Sequence, residues 1–142
     1  MAKFCNKDKS DPYLQKGNRV ALIYPSHDPA AFAAAFFACL FANLVPVPIE
    51  APISNQEPGA QQLGFLLGSC GVTLALTSEA GYKALPKDPS DNKVVRLKGW
   101  PKLTWFTTDS SPRPPKDWVP PVRQSPNSTA YIEVSNQQGL FL

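Results

Sequence analysis

Between Asp28 and Glu50 the chain carries no charged residue, and apart from Asn43 the whole interval is apolar. Such a stretch has to be buried in lipid or in a protein core, because apolar surface left in water costs about 25 cal/mol per Å². Pro46 and Pro48 decide between the two. A membrane-spanning helix needs about 20 unbroken residues, and prolines there leave backbone groups unsatisfied in lipid. No membrane span is therefore expected, and the interval reads as two elements of a globular core. Asp28 is placed to cap a helix with its carboxylate, and Pro29 suits the first helical position, which needs no donor. The helix is expected over 29–42, with Phe32, Phe36, Phe37, Leu40 and Phe41 around an alanine-rich surface, apolar on every side and so buried. Asn43 takes the left-handed position that ends it. Leu44 to Ile49 then reads as a short strand with its prolines at the end or the edge.

The neighbouring segments extend the pattern. Lys16-Gly17-Asn18 is a turn signal ahead of an apolar run, Val20 to Tyr24, that reads as a buried strand over 19–24. A second helix is expected over 58–70, closed by Gly71, with Ala60, Gly64 and Gly68 forming a small-residue stripe along which another element can approach closely. Val72 to Leu76 is a third strand. Apolar strands separated by helices predict an α/β fold, a partial Rossmann-like parallel sheet with right-handed crossover helices and the Phe36 and Leu40 region against it. After Thr77 the character changes: Leu103 to Thr107 is the clear strand candidate in a region with nine prolines between Pro86 and Pro126, read as connecting chain. Ala130 to Val134 is a further strand candidate. The organisation expected is a polar segment 1–18, one partial domain over 19–134 with a proline-rich connection at about 86–126, and a tail 135–142.

Composition removes several classes of function. At 142 residues the chain fits one domain, and 43% hydrophobic against 18% charged residues is a globular balance. Fourteen Lys and Arg against eleven Asp and Glu give a net charge of +3, too small and scattered for a phosphate-backbone footprint, so no nucleic acid partner is expected. Cys5, Cys39 and Cys70 stand far apart beside a single histidine, which excludes a recognisable zinc site. Cys39 and Cys70 read as buried thiols of a reduced, cytoplasmic protein. Met1 to Lys9 has no apolar run of secretory type, and the triplet Asn127-Ser128-Thr129 is taken as chance.

No catalytic, cofactor-binding or metal-binding residue stands out. Gly59 and Gly64 have the glycine spacing of a phosphate loop, but Phe65 and Leu66 stand where that loop needs Lys and then Ser or Thr. His27 precedes a helix start with no nucleophile in sequence reach. Glu50, Glu57, Asp88, Asp91, Asp109 and Asp117 lie mostly in loops and form no evident catalytic pair. Ser111 to Pro121 contains Pro112 and Pro115 at PxxP spacing, suited to an SH3 or WW domain. Asp117 stands where a basic flank belongs, however, and Trp118 reads as an anchor onto the protein's own core, so a surface connection is expected.

Gly17-Asn18-Arg19-Val20-Ala21-Leu22-Ile23-Tyr24-Pro25, followed by the apolar helix and Val45-Pro46-Val47-Pro48, resembles the opening of adenylate-forming enzymes. More narrowly, Asp28 to Phe32, Pro46 to Glu50, the block from Gln61 to Thr73, Lys98 to Leu103 and Thr129 to Glu133 resemble the first adenylation domain of the disco-interacting protein two family. That domain is similar to fatty-acyl-AMP ligases, which join a fatty-acid carboxylate to AMP from ATP, and the family is linked to lipid metabolism. The resemblance implies a fragment of the large N-terminal lobe of an AMP-dependent synthetase/ligase-like domain. Three departures qualify it: Asn43 stands for the family's glycine, the helices before the first strand are missing, and the chain diverges after Glu133, near the Ser/Thr/Gly-rich phosphate loop of active relatives. Ser135 to Gly139 is a poor substitute for that loop. No catalytic residue is therefore carried over. No catalysis is expected from this chain, ATP and magnesium are expected only for an intact active relative, and the expected partner is the rest of the parent domain or a full-length relative. The rival reading is a non-catalytic interaction module working through the proline-rich segment.

Overall fold

The structure is a computed structural model that describes residues 14–50, 58–110, 113, 115–119 and 125–134. Cys5, Glu57, Pro112 and the tail 135–142 lie outside the described residues. The elements follow as β1 (Arg19–Tyr24), α1 (Pro29–Phe41), β2 (Val45–Glu50), α2 (Pro58–Ser69), β3 (Leu74–Thr77), α3 (Glu79–Ala84) and β4 (Thr104–Thr107). The four strands form one sheet in the order β2-β1-β3-β4, and every pairing is parallel. The chain is thus α/β as expected.

Alternation along β1 assigns the helices to opposite faces. Val20, Leu22 and Tyr24 join Ala35 and Cys39 of α1, whereas Ala21 and Ile23 join Leu63 and Leu67 of α2. With both faces covered, β1 is a continuous buried run from Val20 to Tyr24, as a central parallel strand requires. Against the α1 face the deepest side chains are Ala35 and Cys39, with Phe36 only partly buried. Leu40 is half-buried and stands outside that cluster. The expectation that α1 is buried on every side is corrected further: Phe37 and Phe41 are 57% and 56% exposed.

Both long helices end in the same hydrogen-bonding motif. Asn43 sits at φ 57°, with its N–H donating to the Leu40 carbonyl and the Leu44 N–H to the Cys39 carbonyl. Gly71 sits at φ 68°, with its N–H on the Gly68 carbonyl and the Val72 N–H on the Leu67 carbonyl. These are Schellman endings, in which the residue after the left-handed position folds back onto its own helix. Leu44 and Val72 are buried there, which is why β2 and β3 start later than their apolar runs.

Three expectations are corrected beyond Thr77. A short helix, α3, is present, capped by Ser78, whose hydroxyl accepts from the Gly81 N–H. The region after it is more than connection, since Leu85, Leu97 and Trp100 are buried, and Leu97 and Trp100 complete the α2-face core. Gly64 of the small-residue stripe is where Trp100 lies: a Cβ there would fall within contact distance of the indole Cδ1 and 2.8 Å from Cγ, whereas nothing approaches Gly68. Residues 130–134 are extended but form no strand. They run beside the outer edge of β2, where the Ile132 N–H donates to the Pro46 carbonyl at 3.1 Å. Val45 donates inward to Asn18, so the alternation of a strand turns Pro46 and Pro48 outward. Neither supplies an N–H, and a full ladder cannot form. Side chains hold the segment instead: Ile132 and Val134 pack on the α2-face cluster, and the Tyr131 ring meets Phe36 edge-on at 5.7 Å on the other face.

Candidate functional site

A cavity opens at the carboxyl ends of β1 and β2, on the side of the sheet where ligands of open α/β folds bind. Its volume is about 350 Å³. Tyr24, Pro25, Ser26, Pro29 and Phe32 supply the wall from the end of β1 and the start of α1, Pro48, Ile49 and Glu50 the wall from the end of β2, and Glu133 and Val134 the third. The edge segment thus closes one side of the crevice while leaving the ladder unmade.

The turn between β1 and α1 is fixed by the helix cap. The Asp28 carboxylate accepts from the Ala31 N–H at 3.2 Å, and the Asp28 N–H donates to the Pro25 carbonyl at 3.1 Å. Pro29 fills the first helical position without leaving a donor unpaired. Tyr24 closes the base. Its hydroxyl shares a hydrogen bond with the Thr108 hydroxyl at 2.8 Å, and the Thr108 hydroxyl also lies 3.4 Å from the Thr77 carbonyl. Desolvation by burial pushes the Tyr24 phenol up to about 12 from an ordinary 10.0, against the opposing effect of the Thr108 hydrogen bond. Tyr24 is therefore a neutral structural clasp near neutral pH. Beside it the Asp109 carboxylate accepts from the Glu79 N–H at 2.5 Å, tying the loop after β4 to the start of α3.

The residues singled out in the sequence are placed as follows. His27 is exposed in the β1–α1 turn and is not among the cavity walls. Gly64 is packed inside α2 against Trp100. Trp118, expected as a core anchor, is 51% exposed, and Val119 beside it is 75% exposed. The Trp118 N–H donates to the Pro115 carbonyl at 3.0 Å, closing a turn where a polyproline helix has no internal hydrogen bond. Cys39 is buried and Cys70 half-buried. Among the described residues no group of three His, Cys, Asp or Glu side chains is placed to hold a metal, and no helix is long and apolar enough to cross a membrane.

Sequence reasoning treated Glu50 as a loop carboxylate and Glu133 as part of a family block. The fold brings both to one cavity, through a contact between distant segments that no spacing signals. Chemically, the described wall residues offer two carboxylates, one serine hydroxyl and apolar rings, with no Lys or Arg among them.

A sequence model of the family described as AMP-binding enzyme matches residues 13–133. Disco-interacting protein 2 homolog A of Mus musculus is 54% identical over 127 residues, covering 88% of this chain and 8% of that protein. Disco-interacting protein 2 of Drosophila melanogaster is 46% identical over 137 residues, covering 96% of this chain and 8% of its own length. The chain thus spans 8% of the length of these relatives. A solved chain from "Structural and Functional Studies of Fatty Acyl-Adenylate Ligases from E. coli and L. pneumophila" is 34% identical over 50% of this chain and 13% of that one, with a TM-score of 0.37.

Proposed function

Because the chain belongs to the AMP-binding enzyme family, we propose that it supplies part of a fatty-acyl-AMP ligase-like lobe and does not activate fatty acids by itself. The observation that carries this reading is the chemistry of the carboxyl-end crevice. It opens at the carboxyl ends of β1 and β2, and its walls among the described residues are acidic and apolar with no cation. Adenylate formation develops charge on a phosphoryl group, and that charge needs preorganised donors, a cation or a metal. In this reading the chain contributes the sheet, the turn held by Asp28 and one side of the crevice, and the phosphate-binding parts come from elsewhere in a longer polypeptide. Its place is the reducing cytoplasm, and its connection is to lipid metabolism.

The test is ATP–pyrophosphate exchange by the purified chain with magnesium and fatty acids of several lengths. No exchange above a no-protein control is expected. Exchange that disappears in His27→Ala would overturn the reading and assign the chain an active site of its own.

The exposure of Trp118 and Val119 favours a second reading, an interaction module working through the proline-rich segment. Deleting 111–121 separates the two. Partner capture lost on deletion supports the module, and capture retained supports binding through the lobe.

A further inference from the structure

Residues 130–134 run along the outer edge of β2 in the same direction as the strand: Ile132 lies beside Pro46, and Glu133 and Val134 reach the cavity walled by Pro48, Ile49 and Glu50. In a parallel ladder a residue is held twice, its N–H on the carbonyl of one neighbour and its carbonyl on the N–H two positions further along. The Ile132 N–H has the Pro46 carbonyl at 3.1 Å. The second partner would be the N–H of position 48, and that position is a proline. For residue 130 the partner would be the N–H of position 46, a proline as well. Among the described residues one backbone hydrogen bond thus joins the segment to the sheet, whereas β1 and β2 pair along their full length. Side-chain anchorage is shallow by the same comparison. Tyr131 is 50% exposed where no residue from Val20 to Tyr24 exceeds 6%, and Ile132 and Val134 are only partly buried.

We infer that residues 130–134 form a strap that lifts off the β2 rim while the sheet stays folded, and that it carries the third wall of the crevice with it. The seated position is definite, because the strap straddles the rim, with Tyr131 on Phe36 of the α1 face and Ile132 and Val134 on the α2 face. What it leaves behind is self-sufficient. β2 keeps its pairing with β1, and the bared rim at Pro46 and Pro48 has no N–H to leave unpaired, only carbonyls that water can satisfy. Elements with few buried contacts open locally at less cost than the whole fold. Access to the crevice is then set by the strap, since Glu133 and Val134 leave with it.

Amide hydrogen exchange of the full chain, followed residue by residue by NMR at increasing low urea concentrations, tests this. The Ile132 N–H should be protected, yet exchange at least about 100-fold faster than the amides of Val20 to Tyr24. Its rate should depend little on urea, because lifting the strap exposes little surface. Two substitutions should move the strap alone. Pro48→Ala returns the donor missing opposite the Ile132 carbonyl and should slow Ile132 exchange about fivefold relative to β1, the factor that one net hydrogen bond contributes. Tyr131→Ala removes the ring on Phe36 and should speed it by about the same factor, with β1 rates unchanged. Circular dichroism should report the same fold for both variants. An Ile132 amide that exchanges at the β1 rate with the β1 urea dependence overturns the inference, because the segment then opens only with the whole sheet. An unprotected Ile132 amide also overturns it, since the strap is then not seated, and so does a Pro48→Ala chain in which the ratio of Ile132 to β1 rates is unchanged.

Discussion

Gly64 lacks a side chain where Trp100 lies across α2, and a methyl group there would collide with the indole. Gly64→Ala should therefore destabilise the chain by about 1–3 kcal/mol despite its higher helix propensity, measured by urea denaturation, and an unchanged midpoint would show that Trp100 moves freely. Thr77 presents the opposite case. Its Oγ1 is buried without a hydrogen-bond partner, so Thr77→Val removes an unsatisfied group and should stabilise by about 1 kcal/mol, seen as a higher urea midpoint. Tyr24 gives a pH dependence. Its folded phenol is raised to about 12 while the unfolded one stays at its ordinary 10.0, so the unfolded chain loses its proton first. The Tyr24 contribution is present below pH 10 and is lost as pH rises towards 12. Urea melts at pH 9, 10.5 and 11.5 should fall in that window, and Tyr24→Phe should remove part of the slope. An identical slope in both proteins would count against burial of the phenol.

At the scale of elements, α1 rests on its cap. Asp28→Ala frees the Ala31 N–H and should cost about 1 kcal/mol, readable as reduced helicity together with a lower denaturation midpoint. Sequence made the cap legible because cap residues, the proline after it and the left-handed Asn43 act through their immediate neighbours. Gly71 was legible for the same reason. What sequence misplaced came from competition between such local rules. Val72 fits a strand by its side chain, but its N–H is committed to Leu67, so β3 begins at Leu74. The six residues of α3 are too few to show helical periodicity, although Ser78 and Glu79 were a start signal in plain view. Residues 130–134 have strand-like alternation, and what prevents pairing is the chemistry of Pro46 and Pro48, far away in sequence. The cavity was illegible for that same reason, since Glu133 comes to line it beside the β2 end only through this edge contact.

As a whole molecule, the chain leaves Phe37, Phe41 and Phe65 exposed. Each large apolar side chain left in water forgoes about 1.5–3 kcal/mol, against a typical net stability of about 5–15 kcal/mol. The chain should bind a dye that reports apolar surface and should melt below about 60 °C. A monomer melting cooperatively above that temperature without dye binding would mean that these rings are covered. The two rims of the sheet differ in kind. At the β2 rim the prolines present acceptors without donors, and the Pro46 acceptor is already taken by Ile132. At the β4 rim no described strand pairs with the outer side. Edge-to-edge growth needs donors and acceptors in alternation, so the sheet is valved: it can be extended from one rim and not from the other. Two copies joined through their β4 rims would leave a β2 rim at each end, and such a polymer would terminate at its first step.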